Sequence, residues 1–181
     1  MENSSKSENA LGADNQQERP KIIGWVAGFV DGEGTFSVSV FRNKTSKFGW
    51  QVFPEFIVTQ GEKSLPALEF LQNFFGCGKI FINRRKDNHK EDIYRYCVRS
   101  VKDLQSIIIP FFEINQLKTA KRNDFRYFRQ ILEMIGKRKH LDPQGLRTIA
   151  LITKGMNDGG ATTFLESSHT IRRTPIKSGK R

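Results

Sequence analysis

A stretch without a single charge, residues 22–30, constrains this sequence more than any other segment. It predicts a helix over residues 21–31, on which Gly24, Ala27 and Gly28 share one face because they are spaced i, i+3 and i+4. A helix that is apolar almost all round must be buried. Small residues let a second helix backbone approach closely. The segment therefore predicts a helix that packs side by side with another helix through its small residues.

Two acids, Asp31 and Glu33, stand at the C-terminal end of this predicted helix. The helix macrodipole is negative there, so carboxylates are unfavourable unless a cation compensates them. A divalent metal is an economical answer, because carboxylate, carbonyl and water oxygens suit Mg²⁺. Taken alone, the segment 31–34 also fits an ordinary acidic turn between a helix and a strand.

Hydrophobic periodicity predicts a mixed helix and strand domain. Alternation of period two predicts two strand pairs, each with one buried face, and each pair follows a helix. The third helix is expected to end at Pro110, because proline breaks a helix interior. The predicted elements are the helix 21–31, strands 35–41 and 51–58, the helix 64–75, strands 79–83 and 93–99, and the helices 101–109, 119–135 and 143–157. The predicted class is α+β with the order αββαββα.

Positive charge is concentrated in the central part of the chain. The whole sequence has a formal net charge of +11. Residues 1–20 carry −2 and lack apolar surface, so we expect a flexible arm there. Residues 158–181 carry +3 and are expected to form a basic flexible tail. The domain 21–157 therefore holds +10, which is typical of nucleic-acid binding, although solvated basic faces also occur.

Several compartments and site types are disfavoured by the composition. Cys77 and Cys97 are too few for a disulfide framework or a cysteine-rich zinc site. No apolar run approaches the ~20 residues of a membrane helix, and the first residues do not resemble a signal peptide. We expect an intracellular protein with no membrane partner, in a bacterial cytoplasm or an organelle (mitochondrion or chloroplast).

The segment 26–34 resembles the signature of the LAGLIDADG homing endonucleases. The Ala-Gly pair, the two large apolar residues, both acids and the closing glycine agree with it. It departs from the signature at Val26, Gly32 and Glu33. Residues 58–60 resemble the family segment that carries an active-site glutamine. Residues 107–121 resemble its apolar-Pro-Phe stretch with a following basic segment. The resemblance spans residues 22–157 and includes one motif copy.

This resemblance implies a fold and an activity. The fold would be a curved antiparallel sheet with helices on one face, and single-motif members form homodimers through the motif helix. The activity would be metal-dependent double-strand cleavage of a long pseudo-palindromic DNA, with Mg²⁺ or Mn²⁺ as cofactor, promoting intron mobility. The expected catalytic residues are Glu33, Gln60, and Lys118 or Lys121, and the expected metal ligands are Glu33, the Gly32 carbonyl and, ranked lower, Asp31.

Sequence readout would then fall to the open face of the sheet, in the DNA major groove. Phe41, Phe53, Ile57 and Phe81 interrupt this polar face; either they contact thymine methyl groups or the predicted register is shifted by one residue. The expected DNA contacts are Ser37, Ser39, Asn43, Gln51, Glu55, Asn83, Arg85, Arg95 and Arg99, with Arg84 and Lys86 at phosphates.

Two other functions fit the same fold, because fold alone does not fix function. One is an RNA-binding maturase that assists intron splicing, with intron RNA as partner. The other is a DNA-binding protein without catalysis. The acids favour cleavage, since a pure binder gains nothing from carboxylates placed near phosphates.

Overall fold

The computed structural model describes residues 7–46, 48–83 and 92–156, with side chains from residue 17 onward. Helices and strand pairs alternate in the predicted order. The elements are α1 (Ser7–Glu33), β1 (Gly34–Arg42), β2 (Trp50–Gly61), α2 (Leu65–Phe75), β3 (Lys79–Asn83), β4 (Ile93–Val98), α3 (Val101–Asp103), α4 (Ile109–Ile114), α5 (Lys121–Gly136) and α6 (Pro143–Met156).

The four strands form one sheet in the order β1-β2-β4-β3. β4 pairs antiparallel with both β2 and β3, and Tyr96 lies opposite Val58 on one side and Ile80 on the other. Tyr96 and Val58 are fully buried. Because neighbouring side chains on a strand point to opposite faces, Arg95 and its strand partner Phe81 lie on the other face.

The chain divides into two compact units. The first contains residues up to 35 and residues 56–122. Its core is aromatic: the Phe56 ring packs edge-on against Phe75 and Tyr96, and is tilted against Phe112 at 5.8 Å between centroids. Gly76 ends α2 with φ 63°, a left-handed conformation that favours glycine, as the sequence predicted.

The second unit contains residues 36–55 and those from 123 onward. In its core, Phe36 of β1 contacts two rings of α5, Phe125 at 5.2 Å and Phe128 at 5.4 Å between centroids. From α6, Leu146 and Ile149 are buried as well. The long amphipathic pattern of α5 thus places its apolar face against the buried face of β1.

Two predicted helix boundaries are wrong. The first helix begins at Ser7 and contains Pro20, where the sequence predicted a start at residue 21 after an arm without secondary structure. The third helical stretch does not end at Pro110. A π-helical turn over residues 104–108 joins α3 to α4, and α4 has the proline in its first turn, where the missing N–H is tolerated.

Parts of the terminal predictions lie outside the described residues, namely residues 1–6 and the tail 158–181. The division into an arm, a domain and a tail stays a prediction. Within the described ranges, no helix is both long enough and apolar enough to cross a membrane.

Candidate active site

The end of α1 turns directly into β1 without a loop. Glu33 is the last residue of the helix and Gly34 the first of the strand. A Cβ atom at Gly34 would lie 2.6 Å from Val30 Cγ1 and 2.8 Å from the Val30 carbonyl oxygen. Only glycine allows this close approach. The junction therefore fixes Glu33 at the helix end, where it is exposed.

Asp31 ties the end of α1 to the segment that precedes α5. Its carboxylate accepts hydrogen bonds from the Lys118 backbone N–H at 2.9 Å and from the Thr119 hydroxyl at 2.6 Å. The Thr119 N–H also donates to it, at 3.2 Å to each oxygen. These bonds connect residues about 88 positions apart. Asp31 thus has a structural role here, and its place among the predicted metal ligands stays a prediction.

These contacts also set the ionisation of Asp31. Partial burial alone would raise the pKa of its carboxyl group. The hydrogen bonds from Thr119 and Lys118, together with the positive charge of Lys121, outweigh that effect and hold the pKa below its ordinary value. Hydrogen bonds to the charged form have this direction. Asp31 is therefore an anion at any pH near neutrality.

Lys121 caps the C-terminal end of α1. Its Nζ atom donates to the carbonyl oxygens of Val30 at 3.0 Å, of Asp31 at 2.9 Å and of Gly32 at 2.9 Å. The last four carbonyls of a helix have no partner inside it, and a cation there is favourable. The compensating cation that the sequence suggested as a metal is therefore supplied by a lysine. The negative end of the helix dipole is therefore no argument for a metal site here.

The four predicted catalytic residues all belong to the first unit. Glu33 and the Lys118 side chain are exposed, Lys121 is half-buried at the helix end, and Gln60 lies near the end of β2, opposite Tyr94. The Lys118 backbone N–H donates to Asp31. The segment that contains Lys118 therefore lies beside the acidic C-terminal end of α1.

Thr119 is a site residue that the sequence reasoning missed. Besides its bonds to Asp31, its hydroxyl oxygen accepts from the Lys121 N–H at 3.3 Å. A threonine just before a helix is a recognised capping signal, so the sequence held a hint of its local role. The partner Asp31 could not be inferred.

The donor atoms at this end of α1 fit Mg²⁺ in type but not in number. The Glu33 carboxylate and the Gly32 carbonyl are hard oxygen donors of the kind that Mg²⁺ binds. Within the described part of the chain, no group of three or more His, Cys, Asp or Glu side chains could hold a metal. The donors that this helix end offers for such an ion are therefore one carboxylate and one carbonyl.

An open face of small residues runs along α1 beside this end. Gly24, Gly28 and Gly32 are spaced four apart, and a Cβ atom built on each meets nothing within 4 Å. All three are exposed, whereas Ala27 is half-buried. Trp25, next to this face, is 44% exposed. The predicted close helix contact would use this face.

The predicted polar face of the first strand pair is present in the second unit. Ser37 and Ser39 are partly exposed between buried neighbours, and Glu55 is also half-buried. The Asn43 amide donates to Gln51 at 2.6 Å, and its oxygen accepts from the Thr45 N–H at 3.0 Å. Asn43 therefore shapes the hairpin loop as well as orienting Gln51.

The second strand pair, in the first unit, places Asn83 and Arg99 at exposed positions and Arg95 at a half-buried one. Phe81 is 40% exposed beside them and Phe41 is 42% exposed on β1, as expected for the predicted open face. Ile57 is the exception, because it is buried. The predicted contacts at Arg84, Arg85 and Lys86 lie outside the described residues.

The fold and the junction between α1 and β1 are those of one class of protein. Comparison of the sequence with known families identifies this class. A family model described as LAGLIDADG endonuclease matches residues 26–132. This match covers more than half of the chain. The chain belongs to the LAGLIDADG endonuclease family.

Individual relatives agree with this assignment. A probable intron-encoded endonuclease of Neurospora crassa is 36% identical over 159 residues, which are 87% of this chain and 28% of that protein. The chain spans about a third or less of the first curated relatives. The crystal structure of the homing endonuclease I-TnaI is 40% identical with a TM-score of 0.74, covering 83% of this chain and 97% of that one. I-SmaMI bound to an uncleaved DNA target in the presence of calcium ions is 33% identical with a TM-score of 0.71, covering 88% of this chain and 53% of that one.

Proposed function

We propose that the protein is a site-specific homing endonuclease that makes metal-dependent double-strand cuts in a long, pseudo-palindromic DNA and promotes intron mobility. The observation that carries the proposal is the exposed Glu33, held by the glycine junction at the end of a helix whose small-residue face is open. Intron-encoded endonucleases among the relatives support the same activity.

Each residue of the helix end has a distinct role in this proposal. Glu33 would hold the divalent ion, and the Gly32 carbonyl would join it when Lys121 gives up its 2.9 Å contact with that oxygen. When bound, that ion supplies charge stabilisation at the scissile phosphate. Asp31 and Lys121 act by holding the helix end in place. Lys118 has an exposed side chain on a fixed backbone, so of the two lysines it is the one we assign to the phosphate. Gln60 would orient the attacking water.

A homodimer would complete the site. Two chains that pack through Gly24, Ala27 and Gly28 bring two copies of Glu33 towards one axis, one for each DNA strand. Identical subunits also predict a target with two-fold symmetry. The similarity to about half of the I-SmaMI chain supports this arrangement, since one such chain has room for two domains of this size.

The test is cleavage of the uninterrupted host sequence at the insertion point of the gene. Defined double-strand cuts are expected with Mg²⁺ and not with EDTA. Glu33→Gln should lower the cleavage rate by at least ~100-fold, because a neutral amide holds the divalent ion that stabilises the reacting phosphate far more weakly than a carboxylate does. Lys118→Ala should lower it by ~10-fold or more without loss of thermal stability, whereas Lys121→Ala should lower stability as well.

Glu69→Gln is the matched control, because Glu69 is an exposed acid on α2 of the same unit. Its cleavage rate should equal that of the wild type. Binding of this DNA without cuts in any metal would overturn the endonuclease and leave a non-catalytic DNA-binding protein. Cutting that survives Glu33→Gln would show that the metal ligand is misassigned.

A further inference from the structure

The outward face of the second strand pair carries an aromatic ring at a position where the neighbours are polar or basic. Phe81 lies on the edge strand β3, between the exposed Lys79 and Asn83 on the same face. Its direct strand partner is Arg95. The ring remains 40% exposed. Phe81 is thus an apolar side chain among polar and basic ones, on the face that the proposed function assigns to DNA.

Arg99 holds this ring in place. Its guanidinium carbon lies 4.7 Å from the centroid of Phe81, which is the geometry of a cation–π contact. The contact restricts the rotation of Phe81 before any ligand binds. A pre-ordered ring loses less conformational entropy when it makes a new contact.

We propose that Phe81, held by Arg99, reads the 5-methyl group of a pyrimidine in the major groove. The inference rests on the proposed DNA function and adds a ligand group to it. In the major groove, the apolar group that a base pair offers is the C5-methyl group of thymine. The same methyl group is present in 5-methylcytosine. The chain therefore distinguishes a methylated from an unmethylated pyrimidine at one position of each half-site.

The experiment compares duplexes that differ in one methyl group. Bound duplexes are first selected from a random-sequence pool with the full chain carrying Glu33→Gln, so that the DNA stays intact. Each thymine of the selected half-site is then replaced in turn by uracil. At one position, we expect an affinity loss of about fourfold, the effect of burying one methyl group. In duplexes that carry a C·G pair at that position instead, replacing the cytosine by 5-methylcytosine should raise the affinity by a similar factor.

Phe81→Ala in the same background should abolish both methyl effects, and Arg99→Lys should weaken them, because lysine keeps the charge but not the planar contact. Lys79→Ala is the matched control on the same strand and face. It should weaken binding to methylated and unmethylated duplexes equally, as loss of a phosphate contact does.

Two outcomes would overturn the inference, and they are distinguishable. If every uracil replacement changes the affinity of the Phe81→Ala protein as much as that of the protein with Phe81, the methyl readout alone is overturned. Failure to select any sequence from the pool would overturn the proposed DNA specificity together with it.

Discussion

Asp31 shows how one residue can join distant segments of this chain. Its carboxylate receives hydrogen bonds from Lys118 and Thr119, and its pKa is held below the ordinary value. A group with a lowered folded-state pKa stabilises the fold above its ordinary pKa, near 3.8. That contribution to stability is lost as the pH falls through the pKa of Asp31 in the folded state.

We therefore expect Asp31→Asn to lower the free energy of unfolding by about 1–2 kcal/mol at pH 7, in the range for charged hydrogen bonds at a partly exposed position. The difference from the wild type should shrink as the pH falls below the ordinary value near 3.8, because the charge that the hydrogen bonds stabilise is lost progressively as the pH approaches the lower folded-state pKa. Urea unfolding of both proteins between pH 3 and pH 8 measures this difference in the free energy of unfolding and its dependence on pH.

Glu69→Gln is the control for general acid loss, and its stability should follow the wild type across the same range. A constant difference between Asp31→Asn and the wild type from pH 3 to pH 8 would contradict the assigned hydrogen bonds to the charged carboxylate.

At the scale of elements, the exposed face of α1 is where the proposed dimer would form. A Cβ atom built on Gly28 meets nothing within 4 Å and the position is exposed, so the fold should tolerate leucine there, and the loss of a helix glycine favours the helix. The same side chain would hold a second α1 away. We expect Gly28→Leu to keep or raise the thermal midpoint while it shifts the protein to monomer in sedimentation.

Ile22→Ala is a useful comparison, because Ile22 is also exposed on α1 but stands outside the glycine face. It should leave the dimer largely intact. A Gly28→Leu protein that sediments as the wild type would place the interface elsewhere. A wild-type monomer at micromolar concentration with and without DNA would contradict the homodimer.

Element prediction succeeded where the signal was local. The strand over residues 79–83 agrees with the structure at both ends, because alternation and the two preceding glycines define it. Pro110 misled the prediction, since a π-helical turn precedes it and the helix continues. The contacts of Lys121 with the end of α1 span about 90 residues. No local pattern could have revealed them.

For the whole molecule, the proposed dimer would carry two Glu33 carboxylates, one for each DNA strand. One chain of net charge +11 supplies the attraction for one half-site, and its Glu33 would serve one strand. In this proposal, the two cuts would be coupled through the dimer but would be chemically separate. The assembly should behave as two half-enzymes joined by α1.

A mixed dimer tests this division. Wild-type and Glu33→Gln chains with different affinity tags are refolded together, and the dimers that carry both tags are isolated. They should nick one strand of a supercoiled plasmid that contains the target, at a rate within ~2-fold of one wild-type active site, and should accumulate open circles. Each site keeps its own carboxylate, and removing one should leave the electrostatic stabilisation at the other phosphate intact.

Linear product at the wild-type rate would mean that one Glu33 serves both strands. Loss of all cleavage would mean that both carboxylates act in a single shared centre.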